Sequence, residues 1–398
     1  MTPDIPDIPD IMARADATIA ATYKRFPIAL VKGENCTLTD AAGKTYTDFL
    51  AGIAVCNLGH CHPKVTAAVT EQAGTLLHVS NLYYTLPQTE LAGWLTEHSF
   101  ADRVFFCNSG AEANEAAIKL ARRFFYEKGE DRYRIIAAEG SFHGRTMATL
   151  SATGQEKIRK GFHPVLPGFD FVPFNDAGAL RDAIGPDTCA VLLEPIQGEG
   201  GVRVPDPDYL GSVRRICDEA GILLIFDEIQ TGIGRTGRLF AHEHFGIVPD
   251  IMTLAKALAN GLPMGAMLTK EWAASAFGPG AHASTFGGTP IVSAAALATL
   301  NALVGENLID GCREKGAYFK ERLTGLKDRH DTVLDIRGMG LLLGMELKTE
   351  GETVVTAAMA EGFLINCIQD RILRFAPPLT IGNAQIDSLI DCLDEILP

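Results

Sequence analysis

The sequence has no apolar run of membrane-spanning length, no pair of cysteines at CxxC spacing and no surplus of positive charge. Each absence excludes something. A bilayer span needs roughly 20 consecutive apolar residues, so no membrane partner is expected. Nine cysteines, odd in number and scattered, make no disulfide framework and read as reduced thiols of a cytoplasmic protein. A net charge of −14 argues against a nucleic-acid partner. There is no GxxxxGK[ST] phosphate loop and no internal repeat. The opening TPDIPDIPDI lacks the basic start and long apolar core of an export signal. Residues 1–11 read instead as a flexible arm.

What is present is a large apolar complement. Of 398 residues, 47% are hydrophobic, ample for an extensive core. The stretch from Met12 to Tyr23 predicts a short helix. IALVKGENCTLTDAAGKTYTDFL alternates apolar and polar residues and predicts a small β-meander. Residues 63–77 and 89–98 have helical spacing. RVFFCN, RIIAAE, CAVLLEP, GILLIFDE, DIMTLAK and GAMLT then read as short apolar strands. Between them lie the helical patterns AEANEAAIKLARRFFYEKG and LGSVRRICDEAG. Fully apolar strands alternating with helices predict an α/β fold, a mostly parallel sheet covered on both faces. An Ala-rich helix from Pro290 to Leu308, strand-like LLLGMEL and ILRFAPP, and a closing helix complete the chain.

Parallel sheets bind ligands at the carboxyl ends of their strands. The residues after each apolar run are therefore the candidates. Ser109-Gly110-Ala111 follows RVFFCN and opens a helix, where free N–H groups and the helix dipole suit an anion; plain capping by Ser109 is the ordinary reading. Asp227 ends a wholly apolar strand and needs a donor or cation. A structural ion pair meets that need, and so does a protonated ring nitrogen. Phe142, flanked by small residues, offers a flat face or is simply core. Arg145 carries a fork suited to a carboxylate, or is a surface arginine. Lys256 is the lone charge in TLAKALANGLPMGAM. It either lays its stem over apolar neighbours or is a desolvated, reactive amine. An amine for an aldehyde, a carboxylate for a ring nitrogen, a stacking aromatic and a phosphate cup together describe a pyridoxal 5′-phosphate site.

At this point the chain resembles the class III aminotransferases of PLP fold type I, most of all their acetylornithine branch. The motifs are GIAVCNLGHCHP, FFCNSGAEANEAAIKLAR, GSFHGRT, EPIQGEGG, LLIFDEIQTGIGRTG, LAKALANGLPMGA, STFGGTP and LRFAPPL, in family order. The resemblance implies a mostly parallel seven-stranded sheet in a large PLP-binding domain over residues 61–303. A smaller α+β domain would be built from residues 12–60 and 304–398. It implies pyridoxal 5′-phosphate as cofactor and a homodimer with shared active sites.

By the same resemblance, Lys256 bonds the cofactor aldehyde and later shuttles a proton, and Asp227 holds the ring nitrogen protonated. Gln230 lies near the ring hydroxyl. Ser109, Gly110 and Ala111 cradle the phosphate, and Thr285 reaches it from the partner subunit. Phe142 stacks on the ring. Arg145, Glu199, Arg374 and Ser284 serve the substrates, with Glu199 pairing Arg374 as a gate between two carboxylate patterns. Glu194 either faces the ring or is a structural acceptor. The implied reaction moves the terminal amine of N2-acetylornithine to 2-oxoglutarate. Ornithine, succinylornithine, 4-aminobutyrate or another ω-amino acid fit the same motifs as donors, and a lyase, a decarboxylase or a non-catalytic relative fits the scaffold. His60-Cys61-His62 and His242-Glu243-His244 have the H-x-H spacing of metal ligands but no distant partner motif; no metal is expected.

Overall fold

The computed structural model describes residues 7–397. The first helix begins inside the expected arm, at Ile8, and ends at Thr18 rather than Tyr23. Asp7 sets its start: its carboxylate accepts the Asp10 N–H at 2.9 Å, and a proline in the first turn loses no hydrogen bond there. None of the helix's residues is buried, so no packing extends it past Ile19. Residues 1–6 of the expected arm lie outside the described residues.

The meander follows as β1 (Leu30–Glu34), β2 (Thr37–Asp40) and β3 (Thr45–Asp48). The central strands are β4 (Arg103–Cys107), β5 (Arg134–Ala138), β6 (Phe169–Val172), β7 (Thr188–Leu193), β8 (Leu223–Asp227), β9 (Ile251–Leu254) and β10 (Gly265–Thr269). Near the carboxyl end come β11 (Val333–Met339), β12 (Leu342–Leu347), β13 (Phe363–Leu364), β14 (Asn366–Ile368) and β15 (Ile372–Phe375). They form three sheets, ordered β1-β2-β3-β13, β4-β10-β9-β8-β7-β5-β6 and β11-β12-β15-β14. The first sheet thus joins the two ends of the chain, with Phe363 and Leu364 parallel to Thr47 and Asp48.

The seven-stranded sheet is parallel except for β10, which runs against both β9 and β4. The reason is local. Only ten residues, 255–264, connect β9 to β10. A parallel return needs a crossover of a dozen or more residues, usually through a helix.

The period of two in these strands divides the core. Ile135, Leu192 and Ile225 pack with the helix Gly110–Glu127 on one face. Their neighbours Ile136, Val191 and Leu224 pack with the helix Tyr209–Ala220 on the other. Strands apolar on every residue are what a sheet covered on both sides requires. A third, larger cluster runs from Cys36 to Leu397 and joins the central sheet to the two smaller ones. No single helix among the described residues is long and apolar enough to cross a membrane.

Candidate active site

Five strand ends converge on one cavity of about 410 Å³. β4 leads into Asn108–Ala111, β5 into Phe142–Arg145, and β7 into Glu194 and Glu199. β8 ends on Asp227, and β9 leads to Lys256. This is where a parallel sheet leaves a crevice, because its connections depart from strand ends in different directions.

The β4 end is shaped by close packing. Ser109 caps the helix Gly110–Glu127 by accepting the Glu112 N–H at 3.2 Å. The N–H groups of Gly110 and Ala111 have no intrahelical acceptor. A Cβ on Gly110 would lie 2.8 Å from the Ile229 side chain, and one on Gly265 would strike the Ser109 carbonyl oxygen. Glycine at both positions lets the turn sit directly over the sheet.

Asp227 is 3% exposed, and its carboxylate is met by donors. Asn114 Nδ2 donates to Oδ2 at 2.7 Å, His143 Nδ1 lies 2.8 Å from the same oxygen, and the Ile229 N–H reaches Oδ1 at 3.1 Å. Asn114 also donates to the His143 carbonyl and accepts from Thr253 Oγ1, both at 2.8 Å. The carboxylate is therefore fixed in rotation by three elements. His143 and Asn114 are functional candidates to which the sequence reading assigned no role. Both sit within the motifs FHGRT and AEANEAAI, where other polar residues surround them and nothing local singles them out. His143 Nε2 is buried without a hydrogen-bond partner among the described residues.

Lys256 follows β9 with a positive φ of 43°, a left-handed conformation that favours glycine. The turn turns its side chain into the cavity wall. Its Nζ makes no hydrogen bond among the described residues. Burial is the main cause that brings its amine down to about 8; Glu199 opposes the shift and Arg374 adds to it. Glu194 is pushed up to about 7, first by burial and then by Asp227, with His143 opposing. Its two oxygens accept the N–H groups of Phe142 at 3.1 Å and Gly198 at 3.0 Å.

Arg374, from β15, is 1% exposed and forms an ion pair with Glu199. Gln230 bridges the pair, donating to Glu199 and accepting from Arg374, each at 3.3 Å. Burial alone raises the Glu199 carboxyl, but Arg374 and Lys256 outweigh it and hold it below the usual range. Arg145 stands exposed at the mouth, its guanidinium 5.7 Å from the Phe142 ring centre. It borders a second, larger cavity that shares Phe142 and Glu199.

Three expected residues lie outside the cavity lining: Arg374, which meets it through Glu199, and Ser284 and Thr285. Ser284 Oγ accepts from Asn108 Nδ2 at 3.2 Å and from the Gly287 N–H at 3.0 Å. Thr285 beside it is exposed. The histidine clusters resolve into separate pairs. His60 bonds Asp48, His62 approaches Glu306, His242 bonds Glu228, and His244 meets the Thr236 carbonyl. No group of three or more metal-ligating side chains occurs among the described residues. The GxGxxG spacing at Gly232–Gly237 forms turns around the buried Arg235, and no α-helix follows directly.

The donors and acceptors fit pyridoxal 5′-phosphate. Open N–H groups at a helix start suit its phosphate, a fixed carboxylate suits its ring nitrogen, and a desolvated amine suits its aldehyde.

Comparison with known proteins gives the same picture. A family model described as aminotransferase class-III matches residues 18–397. The acetylornithine aminotransferase of Caldanaerobacter subterraneus subsp. tengcongensis is 52% identical over 378 residues, covering 94% of this chain and 96% of that protein. The acetylornithine aminotransferase of Methanocaldococcus jannaschii is 51% identical over 94% of each. The ornithine aminotransferase of Toxoplasma gondii ME49 superposes with a TM-score of 0.95 at 34% identity, over 98% of this chain and 95% of that one. The acetylornithine aminotransferase of Elizabethkingia anophelis does so with 0.89 at 32%, over 99% of each. With a family model spanning nearly the whole chain and a cavity of matching chemistry, this protein belongs to the class-III aminotransferases.

Proposed function

We propose that this chain transfers the terminal amino group of N2-acetylornithine to 2-oxoglutarate, giving N-acetylglutamate 5-semialdehyde and glutamate, with pyridoxal 5′-phosphate as cofactor. The carrying observation is the Lys256 amine, brought down to about 8, in one cavity with Asp227 and with Glu199, the ion-pair partner of Arg374. Relatives at 52% and 51% identity that bear the acetylornithine name support that donor.

When bound, the cofactor supplies an aldehyde and a ring that takes up the electron pair left by a departing proton. The chain's residues do the rest. Lys256 Nζ takes the proton from the amine-bearing carbon of the donor and returns it; a general base works best with a pKa near the operating pH. Asp227, held by Asn114 and His143, keeps a proton on the ring nitrogen. The Gly110 and Ala111 N–H groups, with the Ser109 hydroxyl, hold the phosphate. Phe142 covers the ring, and Gln230 lies beside its hydroxyl.

Arg374 takes the carboxylate of glutamate or 2-oxoglutarate. When the ω-amine donor enters, Glu199 covers the guanidinium, which would be unfavourable if buried alone. Arg145, at the mouth, takes a second carboxylate, and Ser284 lies near the substrate. The exposed Thr285 reaches the phosphate of a partner subunit in a cytoplasmic homodimer with shared sites. The two smaller sheets form one domain from residues 12–60 and 304–398, around a large domain of 61–303.

The test is direct. Protein mixed with the cofactor should develop a visible absorbance band, and borohydride should then fix the cofactor on Lys256; no band ends the reading. In apoprotein, capture of the aldehyde by Lys256 should accelerate as pH rises through about 8, because only the uncharged amine attacks. Single-turnover assays with a donor panel test the substrate. Equal rates for acetylated and free ornithine would overturn the choice of donor.

A further inference from the structure

The hairpin between β14 and β15 turns through Gln369, Asp370 and Arg371. Gln369 and Asp370 both have positive φ, 48° and 65°. Glycine adopts that left-handed backbone freely, and asparagine and aspartate do so more readily than most residues. Glutamine lacks that advantage. What it offers here is reach. Gln369 Nε2 donates to the Glu199 carbonyl at 2.9 Å, across 170 residues of chain, and to Gln155 Oε1 at 3.2 Å. The buried Gln155 in turn donates through Nε2 to the carbonyls of Gly140 and Ser141, each at 3.2 Å. A run of amides thus links the residues just before Phe142 to the backbone of Glu199.

The backbone on either side of Glu199 is held by other groups. Glu194 accepts the Gly198 N–H at 3.0 Å, and the Val202 N–H closes onto the Gly198 carbonyl at 3.2 Å. Arg337 Nε donates to the Gly201 carbonyl at 2.8 Å. Between these anchors, Gln369 takes the carbonyl of Glu199 itself, the residue whose carboxylate pairs with Arg374. Gln369, Gln155 and Glu199 also line the second cavity together with Arg145.

We propose, resting on the function proposed above, that Gln369 is a positioning residue for the exchange of substrates: it holds Glu199 in the form that covers Arg374. Pairing with a buried guanidinium requires the carboxylate at one place. A backbone fixed beforehand loses less conformational entropy in reaching it. The uncovered form, with a substrate carboxylate on Arg374, makes no such demand on Glu199. Removing the Gln369 amide therefore weakens the covered form alone. The consequences have opposite signs. An ω-amine donor, which needs Arg374 covered, reacts more slowly; a dicarboxylate, which needs it free, binds more tightly. A residue that only supported the fold would weaken both.

The experiment uses the full-length protein loaded with pyridoxal 5′-phosphate. Gln369→Gly suits the left-handed turn, so the hairpin keeps its fold while the amide is lost. Gln369→Asn also tolerates that backbone, and its amide is one carbon too short to reach Glu199. In both variants a single turnover with N2-acetylornithine or ornithine should slow about fivefold, the rate equivalent of one hydrogen bond. Glutarate binding, followed by calorimetry, should tighten about two- to fivefold. Donor turnover and glutarate affinity that fall together, or that both stay at the wild-type level, overturn the proposal. No turnover by the wild-type protein with any ω-amine would instead sink the aminotransferase reading. Normal wild-type turnover without opposed shifts in the variants sinks only the role of Gln369.

Discussion

Arg235 and Arg374 are the two bulkiest fully buried side chains among the described residues, and they are held in opposite ways. Arg235 donates to the carbonyls of Leu341 and Pro377 and to the Asn57 side chain, all neutral and two of them backbone. Its Nε has no hydrogen-bond partner among the described residues, and burial brings the guanidinium down to about 10. Arg374 has a carboxylate partner, Glu199, whose side chain keeps 27% exposure at the cavity wall. The first arginine ties the loop after β8 to the carboxyl-terminal segments through neutral acceptors. The second meets a carboxylate at the cavity wall, the partner that the proposed function exchanges for a substrate carboxylate. Burial alone therefore does not mark a functional charge. The two differ in partner: neutral acceptors for one, a carboxylate at the cavity wall for the other.

The comparison can be broken or sharpened by experiment. Arg235→Met should have the largest effect, a loss of about 3 kcal/mol of stability in urea melts, because two backbone carbonyls lose their donor. Arg374→Leu should lower kcat/KM for 2-oxoglutarate by about a hundredfold, or about 2.7 kcal/mol, with a much smaller change in melting. If Arg374→Leu instead destabilised the fold as much as Arg235→Met and left kcat/KM intact, both arginines would be structural.

Glu199→Gln should slow the ω-amine half-reaction by about tenfold, a milder effect because the amide still accepts a hydrogen bond. The smallest effect is on pH. Glu199 is held below the usual carboxylate range, so its pairing stabilises the fold above that range and is lost as pH falls through the lowered value. The stability difference between wild type and Glu199→Gln should be flat from about pH 6 to 8 and should shrink in acid.

Much of this architecture was legible in the residues. Inside RIIAAE, CAVLLEP and GILLIFDE the runs IIAA, CAVLL and ILLIF are unbroken by polar residues, the pattern of strands covered on both faces. The strand ends then pointed to Ser109, Phe142, Asp227 and Lys256 as one group, and the folded chain lines one cavity with them. Other features were out of reach. The helix Ile8–Thr18 depends on an Asp7 cap that competes with the repeating Pro-Asp-Ile pattern. The reversed direction of β10 depends on how little chain separates it from β9. The contacts of His143 and Asn114 with Asp227 span 84 and 113 residues, and no local pattern reports them.

The sequence by itself determined the alternation of elements, their two-faced burial and the chemical types available at each strand end, because periodicity and polarity are local properties. Only the tertiary structure decided that Asn114 and His143 meet Asp227, and how far burial lowers the Lys256 amine. Those outcomes depend on distance and desolvation, which arise when segments far apart in the chain exclude water from one another.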